Sequence, residues 1–191
     1  PSTSAASRSS VNAAKSGTRV LRNAMISDEV FMSASPRRDH YIQAAIGLIA
    51  KGGIQELTIK NLAGVIGISE PALYRHFESK QAILQGLLEF FASGSRAVFQ
   101  RAAASEQPAG GKLQEVLAAH FDQFAKYPPL SAVIFSEEIF QNDGLLSKRV
   151  QGIMEAGQGA LLRIVREGIA AGDLRSDLPA EHLVTVIIAG D

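Results

Sequence analysis

Apolar residues in this chain return every three or four positions, and no segment alternates apolar and polar residues with period two for long enough to make a strand. A stripe with that spacing covers one face of a 3.6-residue turn, so a chain patterned this way throughout is predicted to fold as packed helices, all-α. The material for a core is present, with 46% hydrophobic and 20% charged residues, close to the average of globular proteins. At ~100–200 residues per domain, 191 residues make one ordinary domain or two small ones. The chain has no Cys, which excludes a disulfide scaffold, a thiolate zinc site and a cysteine nucleophile. It has no run of ~18 apolar residues to suggest a membrane span, and no internal repeat of period ~20–50.

Residues 1–35 read as a flexible extension. Pro1 to Gly17 is rich in Ser and Ala and cannot bury enough surface to offset its ordering entropy. No apolar stretch of ~7–15 residues follows its basic residues, so it is not a secretory signal. Val20 to Phe31 has the apolar character for a short helix, and Met25 and Met32 could each be a start codon. Folding is expected from Pro36. Tyr41, Ile42, Ala45, Ile46 and Ile49 line one face of a helix over Arg38–Ala50, stopped by Gly52-Gly53.

The informative stretch runs from Leu57 to Lys80, LTIKNLAGVIGISEPALYRHFESK. Thr58 is placed to cap a helix through Ile66, and Ser69 to cap a second over Pro71–Phe77, with Pro71 in the first turn where a missing N–H costs nothing. Gly67 between them can supply a positive φ. Two short helices joined by a three-residue turn containing Gly form a helix-turn-helix. Ala63 is small enough for a close crossing, and Ile68 and Leu73 can plug the angle between the helices. A short helix with a polar, varied surface can enter a major groove. Thr58 and Lys60 at the start of the first helix, and Lys80 at the start of the long helix predicted over Lys80–Ala104, can meet phosphates. Charge distribution agrees. Residues 1–80 carry 10 Lys/Arg against 6 Asp/Glu, net +4, and residues 81–191 carry 9 against 13, net −4, so a polyanion would bind the first half.

The same stretch resembles the N-terminal domain of TetR/AcrR-type transcriptional regulators. The likeness covers roughly residues 38–90, and the helical remainder matches the family's second domain in layout. The resemblance implies a cytoplasmic homodimer that binds a palindromic operator, usually as a repressor, and loses DNA affinity when a small molecule enters the second domain. It implies no enzymatic activity and no cofactor. Carried over by position, Thr58, Lys60, Ser69, Glu70, Pro71, Ala72, Tyr74, His76 and Lys80 fall where the family contacts double-stranded DNA. Arg75, variable in the family, is a further candidate. The resulting division is a head over 36–80 and a helical regulatory domain over 81–191. The family's final helix is expected to be missing after the helix Ala180–Ala189, where Leu183, Val184, Val186, Ile187 and Ile188 would form the dimer contact.

Beyond the loop expected over Glu106–Gly111, helices are predicted over Leu113–Lys126, Pro128–Phe140, Leu145–Ala171 and Ala180–Ala189. Phe90, Phe91, Phe99, Phe121, Phe124, Tyr127, Phe135, Phe140 and Met154, with His120, are the candidate lining of a pocket for an apolar effector, Phe91, His120, Phe121, Phe124, Phe135 and Met154 foremost. Taken singly, each reads rather as plain core. His120 and Glu115 are candidate polar anchors. Glu137-Glu138 is no acid/base pair, because neighbours on a helix point ~100° apart. Gly157-Gln158-Gly159 lacks the strand and third Gly of a phosphate loop. No nucleophile–base pair and no His-Glu-x-x-His spacing is legible. Two other readings stay open at this point: a helical enzyme or lipid carrier, and an interaction module whose helix-turn-helix binds protein.

Overall fold

The computed structural model describes residues 36–136 and 144–189. The expectations for residues 1–35 and for Glu137, Glu138 and Phe140 fall outside the described residues. Those described form eight α-helices and one 3₁₀ turn, with no strand among them. Helix α1 spans Pro36–Gly52, and the 3₁₀ turn Ile54–Glu56 leads into α2, Ile59–Ile66. Then come α3, Glu70–Tyr74, and the long α4, Lys80–Ala104. Helices α5, Ala109–Lys126, and α6, Pro129–Ile134, precede α7, Gly144–Ala171, and α8, Ala180–Ala189.

Local chemistry sets most of these boundaries. Three hydroxyls cap three successive helices: Thr58 Oγ1 accepts from the Asn61 amide at 3.0 Å, Ser69 Oγ from Ala72 at 3.3 Å and Ser79 Oγ from Ala82 at 3.2 Å. Each satisfies an amide of the first turn that has no partner in its own helix. Gly67, at φ 79°, and Gly172, also at φ 79°, end α2 and α7 in the left-handed conformation that a Cβ disfavours.

Three expected elements differ. The second helix of the motif stops at Tyr74 rather than Phe77. The chain tightens there, with the His76 and Phe77 amides both bonded to the Leu73 carbonyl, because Phe77 must turn inward to full burial. Helix α5 begins at Ala109, not Leu113, so Gly110 and Gly111 lie in its first turn. A long-range bond, from the Ala109 amide to Asp173 Oδ2 at 3.2 Å, secures an end that the local glycines would leave open. The helix expected over Pro128–Phe140 is described only as Pro129–Ile134.

Two apolar clusters hold the helices together. The first joins Tyr41, Ile42, Leu62, Leu73 and Phe77 to Ile83 and Leu87 of α4, and continues into Leu130 and Ile134 of α6 and Leu146 and Val150 of α7. The second joins Val98 and Ala102 of α4 with Leu113 and Val116 of α5, Ile164 and Val165 of α7 and Val184 of α8. Helix α4 therefore belongs to both clusters and connects them as one rod. At Gly86, α1 and the end of the motif crowd this rod. A Cβ there would lie 2.8 Å from Ile42 Cδ1 and 3.3 Å from Phe77 Cε1, so glycine permits this approach. Among the described residues, no helix is long and apolar enough to cross a membrane.

Candidate functional site

The Thr58–Lys80 segment carries its apolar residues inward and its polar residues outward. Leu62, Ala63, Leu73 and Phe77 are buried, and Ile66 and Ile68 pack against them from half-buried positions. The left-handed Gly67 lets both its own amide, at 2.9 Å, and that of Ile68, at 3.0 Å, bond the Ala63 carbonyl. That turn sets α3 at an angle to α2, with Leu73 locked beneath it. Five residues make a helix short enough to be positioned by its ends and its one buried side chain.

The ten candidate contact residues all lie at the surface. Thr58, Lys60, Ser69, Glu70, Pro71, Tyr74, Arg75 and His76 are exposed, and Ala72 and Lys80 are half-buried. Tyr74 is 49% exposed. Among the described residues Lys60, Arg75 and Lys80 form no ion pair. His76 has a packing role besides: its ring meets buried Tyr41 of α1 edge-on, 5.0 Å between centroids. Arg38 of α1 lies over the Phe77 ring at 5.2 Å, so α1 clamps the end of the motif from outside.

A second feature lies between α4 and α7. It is a cleft of about 520 Å³, within the range of small-molecule sites. Its apolar lining includes Ala92, Phe99, Ile153 and Ile164. Its cations are Arg96, Lys148, Arg149 and Arg163, against one carboxylate, Glu167. Small residues on α7 make the space: Gly152, Ala156, Gly157 and Ala160 face the cleft, and a Cβ at Gly152 would meet nothing within 4 Å.

Of the residues expected at a pocket, Phe99 lines the cleft, and Phe91, His120, Phe121, Phe124, Phe135 and Met154 do not. Phe91 and Phe124 pack on each other at 5.4 Å between rings. Phe121, Phe135 and Met154 stand at the surface, 73%, 65% and 40% exposed. Phe121 falls there because it follows His120 by ~100° on a helix whose inward residues are Leu113, Val116 and Gln123. His120 reaches the cleft indirectly. Its Nδ1 lies 2.8 Å from the Val116 carbonyl, which can only accept, so Nδ1 carries the proton. Nε2 then accepts from Ser95 Oγ at 2.8 Å, and Ser95 lines the cleft. Burial pushes the His120 imidazole below its ordinary value of 6.5, partly opposed by the bond to Val116. The pair has the spacing of a nucleophile and base, which the sequence did not reveal because 25 residues separate the partners. Ser95 sits inside α4, however, where helical hydrogen bonds consume the amides that would stabilise an oxyanion. Glu115 is engaged elsewhere, 3.6 Å from Arg101.

Known families match both parts of the chain. Residues 42–87 match the family described as bacterial regulatory proteins, tetR family, and residues 96–190 match the C-terminal region of YsiA-like proteins. Curated relatives include the nucleoid occlusion factors SlmA of Shewanella pealeana, 28% identical over 139 residues and 71% of each chain, and of Shewanella amazonensis, 28% identical over 153 residues, 80% of this chain and 78% of that one. The fold is that of the regulator FadR from Bacillus subtilis in complex with stearoyl-CoA, with TM-score 0.62, 24% identity and coverage of 78% of this chain and 80% of that one. It is also that of the ketosteroid regulator KstR2 of Mycobacterium tuberculosis, with TM-score 0.66, 21% identity and coverage of 83% and 81%.

Proposed function

Because this chain belongs to the TetR family of bacterial regulatory proteins, we propose that it regulates transcription as a homodimer on a palindromic operator and responds to an effector seated between α4 and α7. The observation that carries the DNA half is the five-residue α3, capped by Ser69 and anchored by Leu73, with Tyr74, Arg75 and His76 turned to solvent. In a dimer, two such helices would enter major grooves one turn apart, ~34 Å. The outward Val186 and Ile188 of α8 offer apolar surface for the partner. We assign the ten surface residues named above to DNA, with Lys60, Arg75 and Lys80 on phosphate.

The effector we propose is amphipathic: an anionic head with a long apolar tail. Four arginine and lysine side chains around an apolar floor suit a phosphate or carboxylate joined to a hydrocarbon. FadR, a fold relative, holds stearoyl-CoA, which makes a long-chain acyl-CoA the first compound to test. Such a ligand lowers DNA affinity only through the difference in its affinity for the two postures of the dimer.

Operator fragments selected from random DNA by the full chain supply the assay. Fluorescence anisotropy should give a specific complex whose affinity falls steeply with salt as phosphate contacts release counterions, and stearoyl-CoA should weaken it at least tenfold. Gly152→Leu, which fills the cleft without touching the head, should abolish that response and leave DNA binding intact. Absence of any specific complex at moderate salt would overturn the regulator reading. A complex indifferent to stearoyl-CoA would overturn the effector.

A further inference from the structure

One carboxylate, Glu89, pairs with two arginines of the α4–α7 cleft and also lines a neighbouring one. Glu89 of α4 pairs with Arg149 of α7 and lies 3.7 Å from Arg96, while Ser93 Oγ donates to its Oε1 at 3.2 Å. Both arginines line the cleft described above. Glu89 itself lines a second cleft, about 430 Å³, on the side facing α1, and Arg149 borders both. Arg38, the residue stacked on Phe77, lines that second cleft with Glu89. An anion entering the first cleft meets two arginines already paired with Glu89. It competes with that carboxylate for their charge, and the other cation of the second cleft, Arg38, belongs to α1.

We propose that Glu89 is a latch: it holds Arg96 and Arg149 while the cleft is empty, and an anionic effector head takes them from it, freeing the carboxylate toward Arg38 and the DNA-binding head. This rests on the reading of the α4–α7 cleft as the effector site, and adds how occupancy is reported. All three partners are partly exposed, with side chains 44–60% accessible, so the exchange is between modest interactions and remains reversible.

Competition gives the test an unusual sign. Glu89→Gln removes the competitor while keeping the shape, so stearoyl-CoA should bind about fivefold tighter by calorimetry, the size expected from two exposed pairs. Operator affinity without effector should fall by a similar factor, because the latched posture is lost. Arg149→Gln should weaken stearoyl-CoA. Glu155→Gln, an exposed carboxylate on α7 outside the cleft lining, controls for net charge at 0.15 M salt, where screening acts over ~8 Å, and should leave both affinities unchanged. Damage to the fold cannot raise effector affinity, so a tighter Glu89→Gln variant with a neutral control supports the latch. If wild type binds stearoyl-CoA and Glu89→Gln binds it equally or more weakly, or if Glu155→Gln gains as much, the latch is wrong and the cleft reading stands. If wild type does not bind stearoyl-CoA, both are overturned.

Discussion

Alanine at two exposed glycines three residues apart should shift stability in opposite directions. Gly64 lies within α2, and Gly67 ends it at φ 79°, ψ 32°. A Cβ at either position meets nothing within 4 Å, so packing contributes to neither and only the backbone differs. Inside the helix, Ala restricts the unfolded chain without straining the native one, a gain of about 0.5–1 kcal/mol. At Gly67 the same methyl group collides with its own carbonyl in the left-handed region, a loss of about 1–2 kcal/mol. The two variants should therefore differ by about 2 kcal/mol. For a chain of this size that corresponds to Tm about 2–3 °C above wild type for Gly64→Ala and about 3–6 °C below it for Gly67→Ala. Gly67→Asn should fall between wild type and Gly67→Ala, since Asn tolerates this conformation better. Urea titration at constant m-value is the stricter assay, because it shows that stability moved and not compactness. Equal signs for the two alanines, or a neutral Gly67→Ala, would refute the left-handed turn and with it the angle between α2 and α3.

The other expectations are as follows. Tyr74→Ala combined with Lys80→Ala should weaken operator binding and flatten its dependence on log salt by about one unit for each phosphate no longer neutralised, measured by anisotropy across a salt series. His120 has a folded pKa below its ordinary 6.5 because burial disfavours the imidazolium. The unfolded chain therefore takes the proton more readily, and stability is complete above pH 6.5 and falls as pH drops from there through the folded value. His120→Gln should flatten that slope in urea titrations below pH 6.5. Gly168→Ala should destabilise despite a gain in helix propensity of about 1 kcal/mol. The new methyl would lie 2.3 Å from Ala109 Cβ and 2.9 Å from Leu174 Cγ, an overpacking of about 1–3 kcal/mol at the point where α5 begins. A stabilised variant would refute that close approach.

The helix-turn-helix was legible because its determinants are local. A hydroxyl three residues before the amide it caps, a glycine with positive φ and a proline in a first turn all lie within a few residues of their partners. The same holds for the start of α4 and the end of α7. The start of α5 was not legible, because the bond that secures it comes from Asp173, 64 residues away. The lining of the α4–α7 cleft was only partly legible for a related reason. Of the aromatic residues expected at a pocket Phe99 does line the cleft, but Phe91 and Phe124 pack on each other, and the space is made by Gly152, Ala156 and Ala160. A cavity arises where side chains are missing, and a one-dimensional pattern marks side chains that are present.

The arrangement of the two cores limits how an effector can reach DNA. The head does not hang from the rest of the chain on a hinge. Its core runs without interruption from Leu62 and Leu73 into Leu146 and Val150 of α7. Lys148, Arg149, Gly152 and Ile153, on the same two turns of α7, line the α4–α7 cleft. A ligand that wedges α7 away from α4 there would also move Val150, a member of the cluster that holds the head. The Glu89 pair bridges α4 and α7 at this level of the structure, so the electrostatic exchange and the mechanical wedge act on the same joint. A double-mutant cycle of Glu89→Gln with Val150→Ala, read as operator affinity, should show non-additivity above about 0.5 kcal/mol, as residues sharing one joint do. Strict additivity would separate the two and leave the charge exchange without a route to the head.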